Sequence, residues 1–205
     1  MRATRATSRA RAPRTGVWRD PVAWIVAAYM GVQSTSFYVL VTWLATMSAD
    51  TGRSATTAGI DVMVYQSFSI AGALTVALVM RGRGERLTPA LLPLVGMIGI
   101  IGMLFAPDAV GFWVIPLGLF SGASLGVALT LIAQRARDHS TSSALSGMSQ
   151  SVGYAVAAIG PVLFGGVHAL TGSWTVSLVI LLLTLMTQGV IGIFAARDRF
   201  VLEAR

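Results

Sequence analysis

Four groups of hydrogen-bonding side chains stand in stretches that are otherwise apolar. They are Gln33-Ser34-Thr35-Ser36 with Tyr38 about one turn on, Tyr65-Gln66-Ser67 with Ser69, Ser121 with Ser124, and Gln150-Ser151 with Tyr154. A polar side chain without a partner in hydrocarbon is costly, so such groups mark either helix contacts or a wet cavity. Isolated serines and threonines are better read as contacts, because they can bond their own helix backbone. A glutamine has four hydrogen-bonding capacities to satisfy. For Gln33, Gln66 and Gln150, cavity lining and interhelical bonding stand level. Tyr38 and Tyr154 combine an apolar face with a hydroxyl, which suits a small planar solute and core packing equally. Gln150 and Tyr154 share one helix face at i, i+4. The candidates for a solute path are therefore Gln33, Tyr38, Gln66, Ser121, Gln150 and Tyr154.

Asp61 is the only acid well inside an apolar segment. It lies about 10 Å in, at 1.5 Å per residue. That depth is nearer the outer boundary than the centre, so a solvated mouth residue is expected, with proton coupling as the alternative. His168 belongs at the interface and His139 in a loop. No HExxH, Walker loop or nucleophile elbow occurs, and there are no paired carboxylates at one depth. With no cysteine, thiolate metal sites and disulfides are excluded. The expectation is a non-enzyme that needs no cofactor and no metal.

The elements that must position these residues are six apolar segments, at 21–48, 54–80, 88–106, 111–134, 142–168 and 174–196. Each is near the roughly 20 residues that cross a bilayer as an α-helix. Hydrophobic residues make up 55% of the chain and charged ones only 11%, against roughly 25% charged in soluble domains. The fold class is therefore all-α, an integral membrane bundle. Asp20 with Pro21 reads as a helix start, and Thr88-Pro89 as another. The third segment holds no polar side chain beyond Pro89, and the sixth only Thr184, Thr187 and Gln188, so both read as lipid-facing or structural. Gly118, Gly122 and Gly126, and likewise Gly96, Gly99 and Gly102, form small-residue stripes that permit close helix approach. Pro116 and Gly160-Pro161 interrupt the fourth and fifth segments.

All 15 basic residues are arginines. Six precede the first segment, three follow the second, two follow the fourth and three follow the sixth, leaving only Arg53 on the other side. By the positive-inside rule both termini face the cytoplasm of a multi-pass protein in the plasma (inner) membrane. The same distribution explains a net charge of +7 without nucleic acid, because no aromatic-interleaved basic patch exists. Residues 1–20 read as a disordered arginine-rich tail, 21–200 as the transmembrane domain and 201–205 as a second cytoplasmic tail.

Gly31-Val32-Gln33-Ser34 leading to Phe37-Tyr38 resembles the start of the C-terminal half of a major facilitator superfamily transporter. The cyanate/nitroimidazole transporter group is the nearest in texture. The Leu129-Thr130-Leu131-Ile132 run with Arg135-Ala136-Arg137-Asp138, then Ala144-Leu145-Ser146-Gly147-Met148-Ser149-Gln150-Ser151-Val152-Gly153-Tyr154, carries the likeness on. Gly160-Pro161 and Thr171-Gly172-Ser173-Trp174 continue it. The resemblance implies one half of a twelve-helix fold working by alternating access around a central cavity, with the third and sixth helices packed outside it. Its partners would be the lipid bilayer, a small polar or anionic solute, and either an N-terminal half missing here or a second copy. The rival expectation is a structural or regulatory six-helix membrane protein, or a transporter fragment, without transport of its own.

Overall fold

The computed structural model describes residues 14–203. Its helices are α1 (Pro21–Asp50), α2 (Ala55–Val79), α3 (Gly84–Phe105), α4 (Val110–Gln134), α5 (His139–Ala157), α6 (Ile159–Thr171) and α7 (Trp174–Ala195). Six spans are long and apolar enough to cross a membrane, with α5 and α6 together making one. The protein is thus an all-α multi-pass membrane bundle.

Helix starts follow local chemistry. The Asp20 carboxylate accepts from the backbone N–H groups of Val22 at 2.7 Å and Ala23 at 3.4 Å, satisfying donors that a first turn leaves free. Ser54, Asp138 and Ser173 cap α2, α5 and α7 in the same way. The Thr141 N–H and hydroxyl both donate to the Asp138 carboxylate, and its carboxyl is held below the usual aspartate range chiefly by that N–H. Thr88-Pro89 is not the start of α3, which opens four residues earlier at Gly84. The Thr88 hydroxyl instead reaches back to the Val79 carbonyl. Pro89 is tolerated because the donor it lacks would serve Glu85, whose exposed first-turn position is open to water. The fifth segment is two helices broken at Ala158. Pro161 lacks the N–H that would bond the Ala157 carbonyl, so the ladder stops there. Gly172 ends α6 in the left-handed region, at φ 66°.

Packing pairs α2 with α4, α1 with α5, and α3 with both α4 and α7. The glycine stripes make these contacts. A Cβ on Gly118 would overlap the Tyr65 carbonyl oxygen, one on Gly122 that of Ser69, and one on Gly72 that of Leu119. Gly96 and Gly99 of α3 receive Phe120 and Leu117 of α4, and Gly102 receives Trp113. Two apolar cores result. One gathers Met30, Val127, Leu131 and Leu145 towards the arginine-rich end. The other gathers Leu44, Tyr65, Leu117 and Leu185 towards the opposite end. α1 and α4 are the most enclosed spans, while α2 and the α5–α6 pair are the least.

The expected tails are only partly tails. Residues 1–13 and 204–205 lie outside the described part. Arg14–Arg19 forms a short 3-10 turn, with Val17 buried. The segment after α7 is tied down as well. Val201 is buried and donates to the Arg135 carbonyl at 2.9 Å, and Leu202 donates to Asp20 at 2.7 Å. Arg135 is itself buried, its Nε donating to the Ala195 carbonyl at 3.1 Å. Burial pushes its guanidinium pKa down, against the opposing pull of Asp198 and Glu85.

Gly122→Leu should destabilise the purified protein by at least the 1–3 kcal/mol or so of overpacking, because the new side chain meets α2 backbone. Gly166→Leu, where no atom lies within 4 Å of the new Cβ, should leave the thermal midpoint nearly unchanged. Equal midpoints for the two variants would show that α2 and α4 do not meet at that stripe.

Candidate solute path

Between α1, α2, α4 and α5 lies a cleft with a cavity volume of about 80 Å³. Gln33, Ser34, Phe37 and Tyr38 line it from α1, Ser69 from α2, Ser121, Gly122 and Leu125 from α4, and Tyr154 from α5. Four of the six residues selected from sequence therefore meet on one cavity. The α2–α4 approach is what brings Ser69 and Ser121 to it, since both flank the Gly122 contact.

The polar walls are partly spent on the bundle itself. Gln33 is buried, and its amide nitrogen donates to Ser34 Oγ at 2.7 Å and Met30 Sδ at 3.3 Å. Ser121 Oγ shares a 2.7 Å hydrogen bond with the Tyr65 hydroxyl, joining α4 to α2. Tyr38 and Tyr154 remain 39% exposed, with ring centroids 6.3 Å apart at an interplanar angle of 82°. Phe37 stands edge-on to Tyr38 at 5.4 Å. The cleft thus offers aromatic edges and faces, two hydroxyl-bearing tyrosines and three serines. Such a surface can hold a small planar solute and hydrogen-bond its polar atoms. Among the described residues no cationic side chain lines it, so a bound anion would rest on hydrogen bonds and ring edges.

Gln66 and Gln150 do not join this lining. Gln150 is half-buried and donates to Ser146 Oγ at 2.7 Å, one turn back on its own helix. Gln66 is half-buried with its carbonyl oxygen enclosed and unpaired. Ser34 and Ser69 belong to the cavity although the selection left them out. Their place in the same polar runs was the available signal.

Asp61 is not a solvated mouth residue. It is 3% exposed, accepts from Ser48 Oγ at 2.5 Å and pairs with Arg53 at 3.0 Å. The cause is the turn between α1 and α2, which folds Arg53 back onto the carboxylate. Gly111 of α4 leaves room for the pair, since a Cβ there would lie 3.0 Å from Arg53 and 3.1 Å from Asp61. The sixth segment also holds more than expected. Gln188 is fully buried and donates to Ser124 Oγ at 3.1 Å, joining α7 to α4. His168 stacks flat on Trp174 at 3.6 Å, and the Trp174 indole donates to Asp50.

No family model matches the chain. It is 36% identical over 193 residues to the uncharacterized transporter YycB of Bacillus subtilis, covering 93% of this chain and 48% of that protein. With the 2-nitroimidazole transporter of Escherichia coli it shares 35% identity over 195 residues, covering 95% and 49% respectively. The cyanate transport protein CynX of Escherichia coli is 25% identical over 159 residues, covering 75% of this chain and 40% of that protein. The chain spans about half the length of the curated relatives it matches.

The Arg53–Asp61 pair carries an asymmetric expectation. Removing Arg53 strands a carboxylate in the interior, whereas removing Asp61 frees an arginine that is already 27% exposed. Arg53→Gln should therefore cost about 2–4 kcal/mol, and Asp61→Asn about half of that. Thermal or denaturant unfolding of both variants checks the order, and a reversed order would mean that Asp61 is solvated after all.

Proposed function

We propose that the chain belongs to the major facilitator superfamily of transporters and forms the C-terminal six-helix half of a secondary transporter. Its work would be to pass a small polar or anionic solute across the inner membrane by alternating access. The observation that carries the reading is the cleft shared by Gln33, Tyr38, Ser69, Ser121 and Tyr154, which draws on four helices at mid-span. The relatives named for 2-nitroimidazole and cyanate favour a small nitrogen-containing solute, planar or linear, with polar atoms at its rim. A cleft of this size fits one wall of a site. A second six-helix unit, whether an N-terminal half or another copy, would supply the facing wall, against the little-buried faces of α2 and α5–α6. The arginine distribution supports an orientation with both termini in the cytoplasm. The chemistry asked of the protein is binding and gating, with no covalent step.

Asp61 serves proton coupling in this scheme only if its pair with Arg53 opens during the cycle. Uptake that keeps its pH dependence in Asp61→Asn removes that role. A static bundle without transport is the second reading, favoured by the bonds that Gln33 and Ser121 already make inside the protein.

One set of variants separates the two readings. In an assembly that transports, Gln33→Ala and Tyr154→Phe should each weaken solute affinity by about 2–10-fold, the value of one neutral hydrogen bond. Gln150→Ala should leave affinity unchanged, because its amide bonds within α5. Gln188→Ala should lower stability by about 1–3 kcal/mol with no effect on affinity. Proteoliposome uptake and calorimetric binding of 2-nitroimidazole or cyanate, alongside thermal midpoints, read both quantities. Stability losses without any affinity loss at Gln33 and Tyr154 would leave the static reading standing.

A further inference from the structure

At the arginine-rich end, the first turn of α3 and the end of α7 frame a recess of about 430 Å³. Arg86, Ile193, Ala196, Arg197 and Asp198 line it. None of them touches the cleft between α1, α2, α4 and α5. The two helices that frame it meet by backbone contact, because a Cβ on Gly192 would overlap the Pro89 carbonyl and one on Gly189 would press the Ala90 carbonyl at 3.2 Å. Arg86 pairs with Asp198, and the Arg197 guanidinium lies over the Phe194 ring at 4.7 Å. Both arginines are exposed at the end of a membrane span.

What lies along the span is apolar. Ile193 lines the recess, and Val190, Met186 and Leu183 continue from it at helical spacings of three and four. All four are exposed. Two guanidinium groups at the boundary, above an uninterrupted apolar lane, match a phosphate headgroup above an acyl chain.

We propose that this recess binds an anionic phospholipid, its phosphate between Arg86 and Arg197 and one acyl chain along the α7 face that carries Ile193, Val190, Met186 and Leu183. Charge complementarity selects the headgroup. With two arginines and one aspartate the recess carries a net positive charge, which favours a lipid of net negative charge over a zwitterionic one. The apolar lane selects a lipid over a free anion, since inorganic phosphate gains nothing from it. Asp198 tempers the site by holding Arg86. Its removal would cost the bundle an exposed ion pair and release Arg86 towards the phosphate, so stability and lipid affinity would move in opposite directions.

The test titrates phosphatidylglycerol or phosphatidylcholine into the detergent-solubilised full chain and reads bound lipid by native mass spectrometry. Phosphatidylglycerol should bind more tightly than phosphatidylcholine. Arg86→Gln and Arg197→Gln should each weaken it about fivefold, the contribution of one arginine at an anionic surface. Asp198→Asn should strengthen it, and Arg81→Gln, in the adjoining loop, should leave it unchanged. Should Arg86→Gln fail to fold, Arg197→Gln and Asp198→Asn carry the same test, since Arg197 is outside the Arg86–Asp198 pair. Equal affinity for the two lipids, equal losses at Arg81 and Arg197, or weaker binding in Asp198→Asn would each overturn the proposal. Displacement of the lipid by inorganic phosphate at millimolar concentration would also overturn it, by identifying a free-anion site.

Discussion

Where α2 meets α4, glycine stands in place of a side chain at Gly72, Gly118 and Gly122, and carbonyl oxygens of the facing helix fill the space a Cβ would take. Lipid tails are as apolar as leucine, so burial supplies little net force between helices in a bilayer, and close van der Waals contact has to supply it. The approach has a polar consequence. It brings the Tyr65 hydroxyl within 2.7 Å of Ser121 and leaves Ser69 and Ser121 on the edge of the central cleft. With larger residues at the stripe, the helices would stand apart and those hydroxyls would face one another across a gap. The cleft is therefore a by-product of backbone packing before it is a site.

α3 and α7 show the same device in a different setting. Gly96, Gly99 and Gly102 accept large side chains of α4, while Gly189 and Gly192 press α7 onto the start of α3. α3 braces α4 from behind, α7 packs on α3 and α1, and neither helix lines the cleft. Two buried polar groups of α7 bond neighbouring helices, Gln188 to Ser124 of α4 and Ser177 to the Phe164 carbonyl of α6, while Thr184 and Thr187 bond their own helix. An amide placed between helices has only its partner to bond, so its worth is positional. An amide or hydroxyl on the cleft can exchange a protein partner for water or solute.

The two ends of the bundle are closed by charge in contrasting ways. At the arginine-poor end the ion pair of Arg53 with Asp61 sits almost inside the protein with Ser48. At the other end the ion pairs Arg86–Asp198 and Arg137–Glu203 are exposed, and exposed pairs contribute little individually. There the firm connections are backbone ones, from Val201 to Arg135 and from Leu202 to Asp20. The chain after α7 becomes a strap across the starts of α1 and the end of α4.

Much of this architecture is written in one dimension. Hydropathy marks six spans, Asp20 with Pro21 marks a helix start, and the glycine stripes mark helix contacts, because each depends on residues within a few positions of one another. The start of α3 escaped for the same reason, since Thr88-Pro89 has the local form of a cap that the chain uses for a contact with Val79 instead. Gln33, Tyr38, Ser121 and Tyr154 could be chosen by depth and type alone. Only the tertiary structure decided that Gln66 and Gln150 stand away from them, that Asp61 is paired and enclosed, and that Gln188 binds α4. Those outcomes turn on how each helix is rotated about its axis and how near its neighbour's backbone comes. Neither quantity is carried by spacing along the chain, whereas the crossing of a bilayer, set by length and apolarity, is.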